Sequence, residues 1–480
     1  MIGGRLKNAR MNKFLLVTLC LCAKFCFAQS IFSKSRYQLE TGTYLSTSGV
    51  TPFWLRSNQY GIVPLESQFV TFRGSAHKEY DSTKNSNQKL KKFGYGYGAW
   101  GVVNVGKINQ ILLPEAYVKI RYGVFEFYGG RRREIVGLVD TTLTSGSYIW
   151  SGNALPMPKI QVSIPNYRQM GKSPIFIKGG ISHGWFGNQG QVRDYYLHQK
   201  WLYGRIGREN AKFKFYLGFN HQVQWGGVTD KNYFKFSVDG KLAPYPWYSY
   251  QFVLIPFLQK FVNPDSKRLP AYDTELAIGN HLGSYDLGFE IERKKIKILF
   301  YKQQPYDFAR SIYRLNNIED GLYGLSIAIK QYPLIKKILI EYLYTASQGL
   351  YRFGKYRASN YVEYDNYFAH GQYTKWSYNN NIIGTPFILA DETGVFNNRV
   401  KVFSTYLTGK VYKIAYTLGG SYSSNLGVYG NKLLKNQFSG KISTIYPLKN
   451  EALLLCQTTF DIGSQYQNNL GLSVLYRKIF

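Results

Sequence analysis

The most constraining feature of this sequence is an alternation of apolar and hydrophilic residues with a period of two. In the stretch KFKFYLGFN (212–220), the phenylalanine and leucine side chains fall on one face of a strand, and lysine, glycine or asparagine falls on the other. Residues 285–291 repeat this alternation, the chain turns at the basic residues 293–295, and the pattern resumes at 296–300. The sequence therefore predicts long amphipathic strands joined by tight turns.

The spacing of these turns predicts how the strands are arranged. Turns of the same kind fall near residues 294, 335, 411 and 448, so neighbouring turns are about 40 residues apart, which fits two strands of about ten residues with one short and one longer connection. Dividing the chain by this unit, with room for oversized loops such as 346–385, gives about 14 to 18 strands. An apolar face that meets lipid requires a sheet without free edges. The predicted fold is an all-β, closed antiparallel transmembrane β-barrel.

Two further features bear on this fold prediction. The last segment, LGLSVLYRKIF, alternates and ends on Phe480, and a terminal aromatic strand resembles the recognition signal of bacterial outer-membrane barrels. A soluble secreted β-sandwich or propeller remains the alternative, and it would have shorter strands and fewer outward aromatic residues. Residues 247–262 are apolar without a period of two and contain Pro256, which indicates a short helix in the lumen or an irregular loop, with the helix favoured.

The N-terminal region has the pattern of a secretory signal peptide. Four basic residues precede an apolar run at 14–22, and a small-residue cleavage pattern follows at Ala28. The predicted organisation is therefore a signal peptide, residues 1–28, and a mature barrel, residues 29–480, with long extracellular loops and luminal insertions. Cleavage would leave Cys456 as the one cysteine, so no internal disulfide is expected.

The charge of the chain limits its partners. The formal net charge is +32, and it falls to +27 when the five basic residues of the predicted signal peptide leave. In a cytoplasmic protein such a charge would suggest nucleic acid, but an exported chain meets lipid phosphates and acidic polysaccharides instead. We therefore expect outer-membrane lipids and acidic capsular or extracellular polysaccharide as partners, and no nucleic acid.

Seven stretches, taken in their number and order, resemble the capsule assembly Wzi family of outer-membrane proteins. They are TPFWLRSNQYGIVP (51–64), PEAYVKIRYGVFEFYGGRRREIVGL (114–138), SGSYIWSGNALPMPKIQVSI (145–164), YLHQKWLYGRIG (196–207), NHQVQWGG (220–227), GNHLGSYDLGFE (279–290) and YDNYFAHGQYTKWSY (364–378). The resemblance covers nearly the whole mature chain. It implies a monomeric barrel of about eighteen strands, occluded by helical or loop elements, in the outer membrane of a Gram-negative bacterium. It also implies a lectin without catalytic activity that holds capsular polysaccharide at the cell surface.

Six residues are candidates for polysaccharide binding. Arg131, Arg132 and Arg133 follow an alternating segment where a strand should end, and their guanidinium forks suit carboxylates or phosphates. Interior ion pairs or contacts to lipid phosphates are the alternative for this cluster. The tryptophans beside glycine or polar residues can cover the apolar face of a sugar ring, or they belong to an interfacial aromatic belt; they are Trp185, Trp225 and Trp376.

The segment 51–64 cannot be an ordinary central strand, because Pro52 and Pro64 remove ladder hydrogen bonds at both of its ends. We expect it to act as a structural plug or anchor inside the barrel or at its mouth. In this hypothesis the anchors are Phe53 and Trp54, and Arg56 bonds a carboxylate of the lumen.

Catalysis, metals and cofactors are not expected. The histidines are dispersed along the sequence without metal-ligand spacing, and no G-x-S-x-G nucleophile motif is present. Two alternatives to the lectin remain open: a porin-like diffusion channel for small anionic solutes, which needs an open lumen, and an outer-membrane enzyme, which needs a nucleophile, a base and an oxyanion site.

Overall fold

The computed structural model describes residues 34–80, 92–188, 190–230, 235–256, 258–275, 277–307, 315–349 and 364–480. The predicted signal peptide lies outside these residues. Within them, eighteen antiparallel strands form one sheet. The strands are β1 (Arg36–Ser46), β2 (Phe69–Lys78), β3 (Phe93–Gly106), β4 (Gln110–Tyr122), β5 (Phe125–Arg131), β6 (Pro158–Gln169), β7 (Ile175–Asn188), β8 (Arg193–Ile206), β9 (Phe213–Trp225), β10 (Asn280–Glu292), β11 (Ile296–Tyr306), β12 (Gly321–Ile329), β13 (Lys337–Tyr344), β14 (Val400–Val411), β15 (Ile414–Val428), β16 (Asn431–Pro447), β17 (Ala452–Gly463) and β18 (Asn469–Ile479).

The sheet closes on itself. Each strand pairs with its neighbours along the chain, and β1 also pairs with β18 in a register that runs from Gln38 opposite Ile479 to Ser46 opposite Gly471. Closure leaves no strand edge unpaired, which is the condition for placing strands in hydrocarbon. The prediction of a closed antiparallel barrel of about eighteen strands is confirmed.

The two faces of the wall differ in polarity. Residues such as Leu39, Phe72 and Val118 point outward and are exposed, whereas Thr71 and Gln199 on the inner face are buried. This arrangement is the reverse of a soluble barrel, which keeps its apolar side chains inside. It is the pattern of a barrel with an apolar outer belt and a polar lumen.

The two ends of the barrel also differ. At one end, which we call the turn end, several strand pairs are joined by two to seven residues: 123–124, 170–174, 207–212, 293–295, 330–336, 412–413 and 448–451. The opposite end, the loop end, carries the longest connections, which are 47–68, 132–157, 226–279 and 345–399. All four predicted turns lie at the turn end; they are near residues 294, 335, 411 and 448. The described residues of the predicted long loop around 346–385 belong to a connection at the loop end.

Among the described residues of these long connections there are four short helices: α1 (Phe53–Arg56), α2 (Pro246–Leu254), α3 (Leu258–Phe261) and α4 (Ala271–Glu275). Short antiparallel ladders join Ala369–His370 to Thr374–Lys375, Ser377–Tyr378 to Asn381–Ile382, and Leu389–Ala390 to Val395–Asn397. Among the residues that the structure describes, none of the helices is long and apolar enough to cross a membrane.

The segment 247–262 is helical, as favoured from the sequence, but it does not lie in the lumen. Phe252 and Val253 of α2 pack in one cluster with Val223 and Trp225 of β9. Val223 and Trp225 are on the same strand face as the exposed Leu217, so this face is the outer one. The apolar side chains of α2 therefore cover the outside of the wall, which explains why the segment lacks the period of a strand.

Several inward tyrosines lie flat against a neighbouring strand. A Cβ atom added to Gly324 of β12 would overlap the ring of Tyr301, and one added to Gly218 of β9 would overlap the ring of Tyr203. Only glycine lets a ring approach the wall this closely. The rings therefore occupy little of the lumen and leave space for the segments that fill it.

Candidate functional site

The first segment in the lumen is 51–64, which enters from the loop end after β1. The backbone N–H of Phe53, at the start of α1, donates to Asp461 Oδ2 at 2.9 Å, and Trp54 Nε1 donates to Ser421 Oγ at 3.1 Å. Gln457 Nε2 donates to the Trp54 carbonyl at 3.0 Å. Asp461 thus satisfies an N–H at a helix N-terminus that has no partner within the helix.

The anchors predicted in this segment are placed as follows. The Phe53 and Trp54 side chains are both 2% exposed, and burying each is worth about 2 to 3 kcal/mol. The guanidinium of Arg56 lies 5.6 Å from the ring centre of Tyr466 and 5.9 Å from that of Phe53. Among the described contacts, Arg56 therefore lies against aromatic rings and the predicted bond to a lumen carboxylate is not observed; the carboxylate of Asp461 instead accepts the Phe53 backbone N–H.

The second segment, 134–155, crosses the lumen from β5 and β6 to the far wall. Leu138 N donates to Asp286 Oδ2 on β10 at 2.7 Å, and Tyr148 N donates to Gln303 Oε1 on β11 at 2.8 Å. Ser145 N donates to Glu341 Oε2 on β13 at 2.6 Å. Buried wall residues with polar side chains thus hold the segment by its backbone.

The third segment, 366–388, joins the other two. Ser151 N donates to the Ile383 carbonyl at 3.1 Å, and Thr385 N donates to the Tyr148 carbonyl at 3.0 Å. Asn58 Nδ2 donates to the Ser145 carbonyl at 2.8 Å. Side chains from all three segments pack in one buried cluster with residues of the wall. We call segments 51–64, 134–155 and 366–388 together the plug.

The predicted arginine cluster is at the end of β5, where the chain leaves the wall, and two of its members form ion pairs. Arg132 binds Glu126 at 2.6 Å and Glu134 at 2.8 Å, and Arg133 binds Glu115 at 2.9 Å. Burial alone would raise the pKa of Glu134, but Lys159 and Arg132 outweigh burial and hold it below its ordinary value. These contacts agree with the ion-pair alternative for Arg132 and Arg133.

Arg131 has a different environment. Its Nη2 donates to the hydroxyl of Tyr378 in the plug at 3.0 Å, and this partner is a neutral phenol. A guanidinium bonded to a phenol retains donors for an acidic ligand. Of the three arginines, Arg131 therefore best keeps the role proposed from the sequence.

The three predicted tryptophans do not form one surface. Trp185 is exposed on the outer face of β7, and the ring of His183 lies 5.1 Å from it and 6.0 Å from Trp225. Trp225 is 5% exposed and is covered by α2. Trp376 is fully buried in the plug beside Phe186. Of the three tryptophans, only Trp376 is connected to the arginine cluster. Its neighbour Phe186 contacts the ring of Tyr378, and the guanidinium of Arg131 lies against the same ring.

Six amide side chains and one tyrosine that the sequence analysis did not select lie beside Arg131 and Arg133. We call this group the amide patch; it consists of Asn58, Gln59, Tyr60, Asn153, Asn379, Asn380 and Asn381. Asn58 N donates to Asn153 Oδ1 at 3.3 Å, and Asn153 Nδ2 donates to the Ile382 carbonyl at 3.0 Å. The Arg133 guanidinium lies 5.6 Å from the Tyr60 ring centre. All seven patch residues are at least partly exposed.

The patch has the chemistry of a sugar site. Amide groups both donate to and accept from hydroxyl groups, an aromatic ring covers an apolar sugar face, and a guanidinium pairs with a carboxylate. Asn58, Asn379 and Asn380 have φ angles of 55°, 48° and 63°, which asparagine tolerates better than most residues. The sequence signals of the patch are NQY (58–60) and YNNN (378–381). Such residues are typical of turns, so they do not indicate a ligand site from the sequence alone.

The fold and the plug define a class: an eighteen-stranded, outer-membrane-type β-barrel with an occluded lumen. Within that class the chain is similar in structure to Wzi of Escherichia coli, an outer membrane protein involved in group 1 capsule assembly and described as a carbohydrate-binding β-barrel. The TM-score is 0.55 at 12% identity, over 95% of this chain and 86% of that one. This likeness establishes a Wzi-like fold.

Other outer-membrane barrels are less similar. Pseudomonas aeruginosa OccK5 (OpdH) matches at a TM-score of 0.46 and 7% identity, over 94% of this chain and 99% of that one. Pseudomonas aeruginosa OpdQ matches at 0.44 and 9% identity, over 93% and 99%. No family model matches the sequence. No curated protein sequence matches it.

Proposed function

We propose that this protein is a non-catalytic, lectin-like barrel of the Gram-negative outer membrane that retains acidic capsular or extracellular polysaccharide at the cell surface as a monomer. The observation that carries the proposal is the plug, because it crosses the lumen, packs against the wall and presents the amide patch beside Arg131 and Arg133. The structural likeness to Wzi supports the same role.

The plug also bears on the alternative of a porin-like channel for small anionic solutes. Such a channel needs a continuous water-filled lumen, whereas Trp54, Tyr148 and Phe387 pack here in one buried cluster with side chains of the wall. The tethers to Asp461, Gln303 and Glu341 oppose displacement of the plug. A fixed plug favours a role in surface binding over one in transport.

Deletion of the gene tests the proposed function. We expect cell-bound polysaccharide to fall and free polysaccharide in the medium to rise by the same amount, because synthesis continues while attachment fails. The measurement is the partition of polysaccharide between washed cells and medium, with the gene restored as the control. An unchanged partition would refute the proposal even if the barrel resides in the outer membrane.

Variants of the amide patch test the site itself. Replacing both Asn379 and Asn380 with glycine removes two exposed amides while keeping backbone angles that glycine accepts. We expect binding of the purified barrel to the organism's own polysaccharide to weaken roughly thirtyfold, since two lost hydrogen bonds cost about 1 kcal/mol each. Asn450→Gly is the matched control, because Asn450 also has a positive φ, of 56°, but lies at the turn end. Equal affinity of both variants would exclude the amide patch as the binding site.

A further inference from the structure

A cavity lies on the outside of the barrel wall near the loop end. Its volume is about 540 Å³, within the 300 to 1,000 Å³ typical of small-molecule sites. It lies between β8–β11 and a cover formed by α2, α3, α4 and residues 369–370. We call it the lateral cavity; its lining includes Lys200, Phe219, His221, Leu254, Thr274 and His281.

The wall of this cavity belongs to the outer face of the strands. Lys200 pairs with His221 across β8 and β9, and Gln199, next to Lys200, points into the lumen with Gln222. Because neighbouring residues of a strand point to opposite faces, Lys200 and His221 point outward. The same alternation places His281 on the outside, since its neighbour in register is Val223.

The apolar belt of the barrel continues up to the cavity. Phe219, in the cavity wall, follows Phe215 and Leu217 on the same face of β9, and both of these are exposed. The cover also exposes apolar side chains: Trp247 is 88% exposed and Phe261 is 84% exposed. Exposed aromatic residues of this kind stabilise a segment at a membrane interface. The cavity is therefore bordered by lipid-facing surface on both the wall and the cover.

The interior of the cavity contains polar groups that can bind a head group. Nε2 of His281 lies 3.0 Å from the Ile278 carbonyl, so it donates, and Nδ1 of His281 then accepts from Nε2 of His221 at 2.9 Å. This leaves Nδ1 of His221 as an acceptor. The atom has no hydrogen-bond partner in the protein, and it is buried, since His221 is only 4% exposed. A buried acceptor without a donor loses free energy that a ligand hydroxyl would restore.

Lys200 supplies positive charge in the same cavity. Its Nζ donates to the Leu254 carbonyl at the end of α2, and an ammonium group has three N–H donors, so donors remain for a ligand. The side chain is only partly buried, which keeps it accessible from the mouth of the cavity. A phosphate suits this position because lysine binds it as a point charge.

We propose that the lateral cavity binds a membrane lipid whose head group carries both a phosphate and a free hydroxyl. The phosphate pairs with Lys200, the hydroxyl donates to Nδ1 of His221, and an acyl chain lies along Phe219 and Leu254 towards the apolar belt. This inference rests on the outer-membrane location in the proposed function and is independent of polysaccharide binding.

Native mass spectrometry of the detergent-purified, delipidated full chain tests the proposal. We expect one phosphatidylglycerol to bind about tenfold more tightly than phosphatidylcholine of the same acyl chains, because phosphatidylcholine has the phosphate but no hydroxyl. Glycerol 3-phosphate alone should bind far more weakly, since it has no acyl chain. A parallel series with lipid A tells which membrane lipid supplies this chemistry. Equal retention of phosphatidylglycerol and phosphatidylcholine, or of neither, overturns the proposal.

Variants locate the binding. Thr274→Trp fills the cavity and should abolish retention, whereas the matched change Thr405→Trp, on the exposed outer face of β14, should leave it intact. Lys200→Met should weaken retention of both phospholipids, because both carry the phosphate, whereas His221→Phe should remove most of the preference for phosphatidylglycerol. Identical lipid retention by the two tryptophan variants would show that lipid binds elsewhere on the belt. Because these readouts use purified barrel and not cell-bound polysaccharide, failure here leaves the proposed lectin role standing.

Discussion

At the residue scale, histidines that are far apart in the sequence come together beside the lateral cavity. In the sequence the histidines are dispersed, because they are spread from residue 77 to residue 370. In the structure, however, His221 and His281 form a hydrogen bond, and His198 and His370 lie near this pair. Spacing along the chain cannot reveal such a group, since its members come from different strands and from a loop. The arginine cluster and the adjacent Glu134 were visible in the sequence, but the other carboxylate partners, Glu115 on β4 and Glu126 on β5, were not recognisable as partners.

One residue-scale prediction concerns Asp273 in α4, which accepts a hydrogen bond from Gln372 at 3.2 Å. Burial raises the pKa of this carboxyl to about 7, although the hydrogen bonds from Gln372 and Gly279 oppose the change. The folded loop therefore holds a proton that the unfolded loop releases, so the stability of the cover should fall as the pH rises from about 4 to about 7 and then stay level.

Limited proteolysis within the cover checks this prediction. From pH 5.5 to pH 8, cleavage of the wild type should accelerate about thirtyfold relative to the Asp273→Asn variant, because about 1.5 pH units of this range lie below the folded pKa and each corresponds to about 1.4 kcal/mol. Using the ratio of the two proteins cancels the protease's own pH dependence. A ratio that does not change with pH would mean that Asp273 does not keep its proton in the folded loop.

At the scale of single elements, alternation predicted the strands well because one face meets an apolar medium and the other a polar one. The same rule failed to place 247–262, since a helix that covers the outer wall is apolar for a reason that no strand period expresses. The glycines under tyrosine rings were also not predicted, because a glycine in a strand has no pattern of its own and its partner ring comes from the next strand.

The element-scale prediction uses this glycine packing. Gly324→Ala should push the Tyr301 ring away from β12 and break its hydrogen bond of 2.5 Å to Glu341, which also holds the plug. We expect a loss of about 1 to 3 kcal/mol in stability, measured as a lower urea midpoint of the folded barrel. Gly101→Ala is the matched control, because no atom lies within 4 Å of the added Cβ. If the two variants unfold at the same midpoint, the ring contact does not constrain the wall.

At the scale of the whole molecule, the closed barrel and its strand number followed from turn spacing and from the family resemblance. The plug followed only in outline: Pro52 and Pro64 excluded 51–64 from the sheet, but nothing in the sequence indicated that 134–155 crosses to Asp286, Gln303 and Glu341. Contacts between segments so distant in sequence depend on the closure of the whole sheet.

The whole-molecule prediction is that removing the plug's central hairpin opens a pore. Val136 and Trp150 form an antiparallel bridge, so two glycines can replace residues 137–149 between them without moving the wall. In planar lipid bilayers we expect discrete conductance steps from this variant and none from the wild type. Heat-modifiable migration of both proteins serves as the control for folding. If the wild type conducts as well as the variant does, the porin-like channel becomes the better explanation of the function.

The pairing of β1 with β18 also determines when this protein can be completed. The two strands that seal the cylinder are the first and the last of the eighteen in sequence order, so the sheet cannot close until both have been synthesised. A chain that stopped before β18 would leave the sheet with two unpaired edges and would not form a smaller closed barrel. The β1–β18 seam is therefore the pairing that has to wait for the last strand of the eighteen, whatever the order in which the other strands pair.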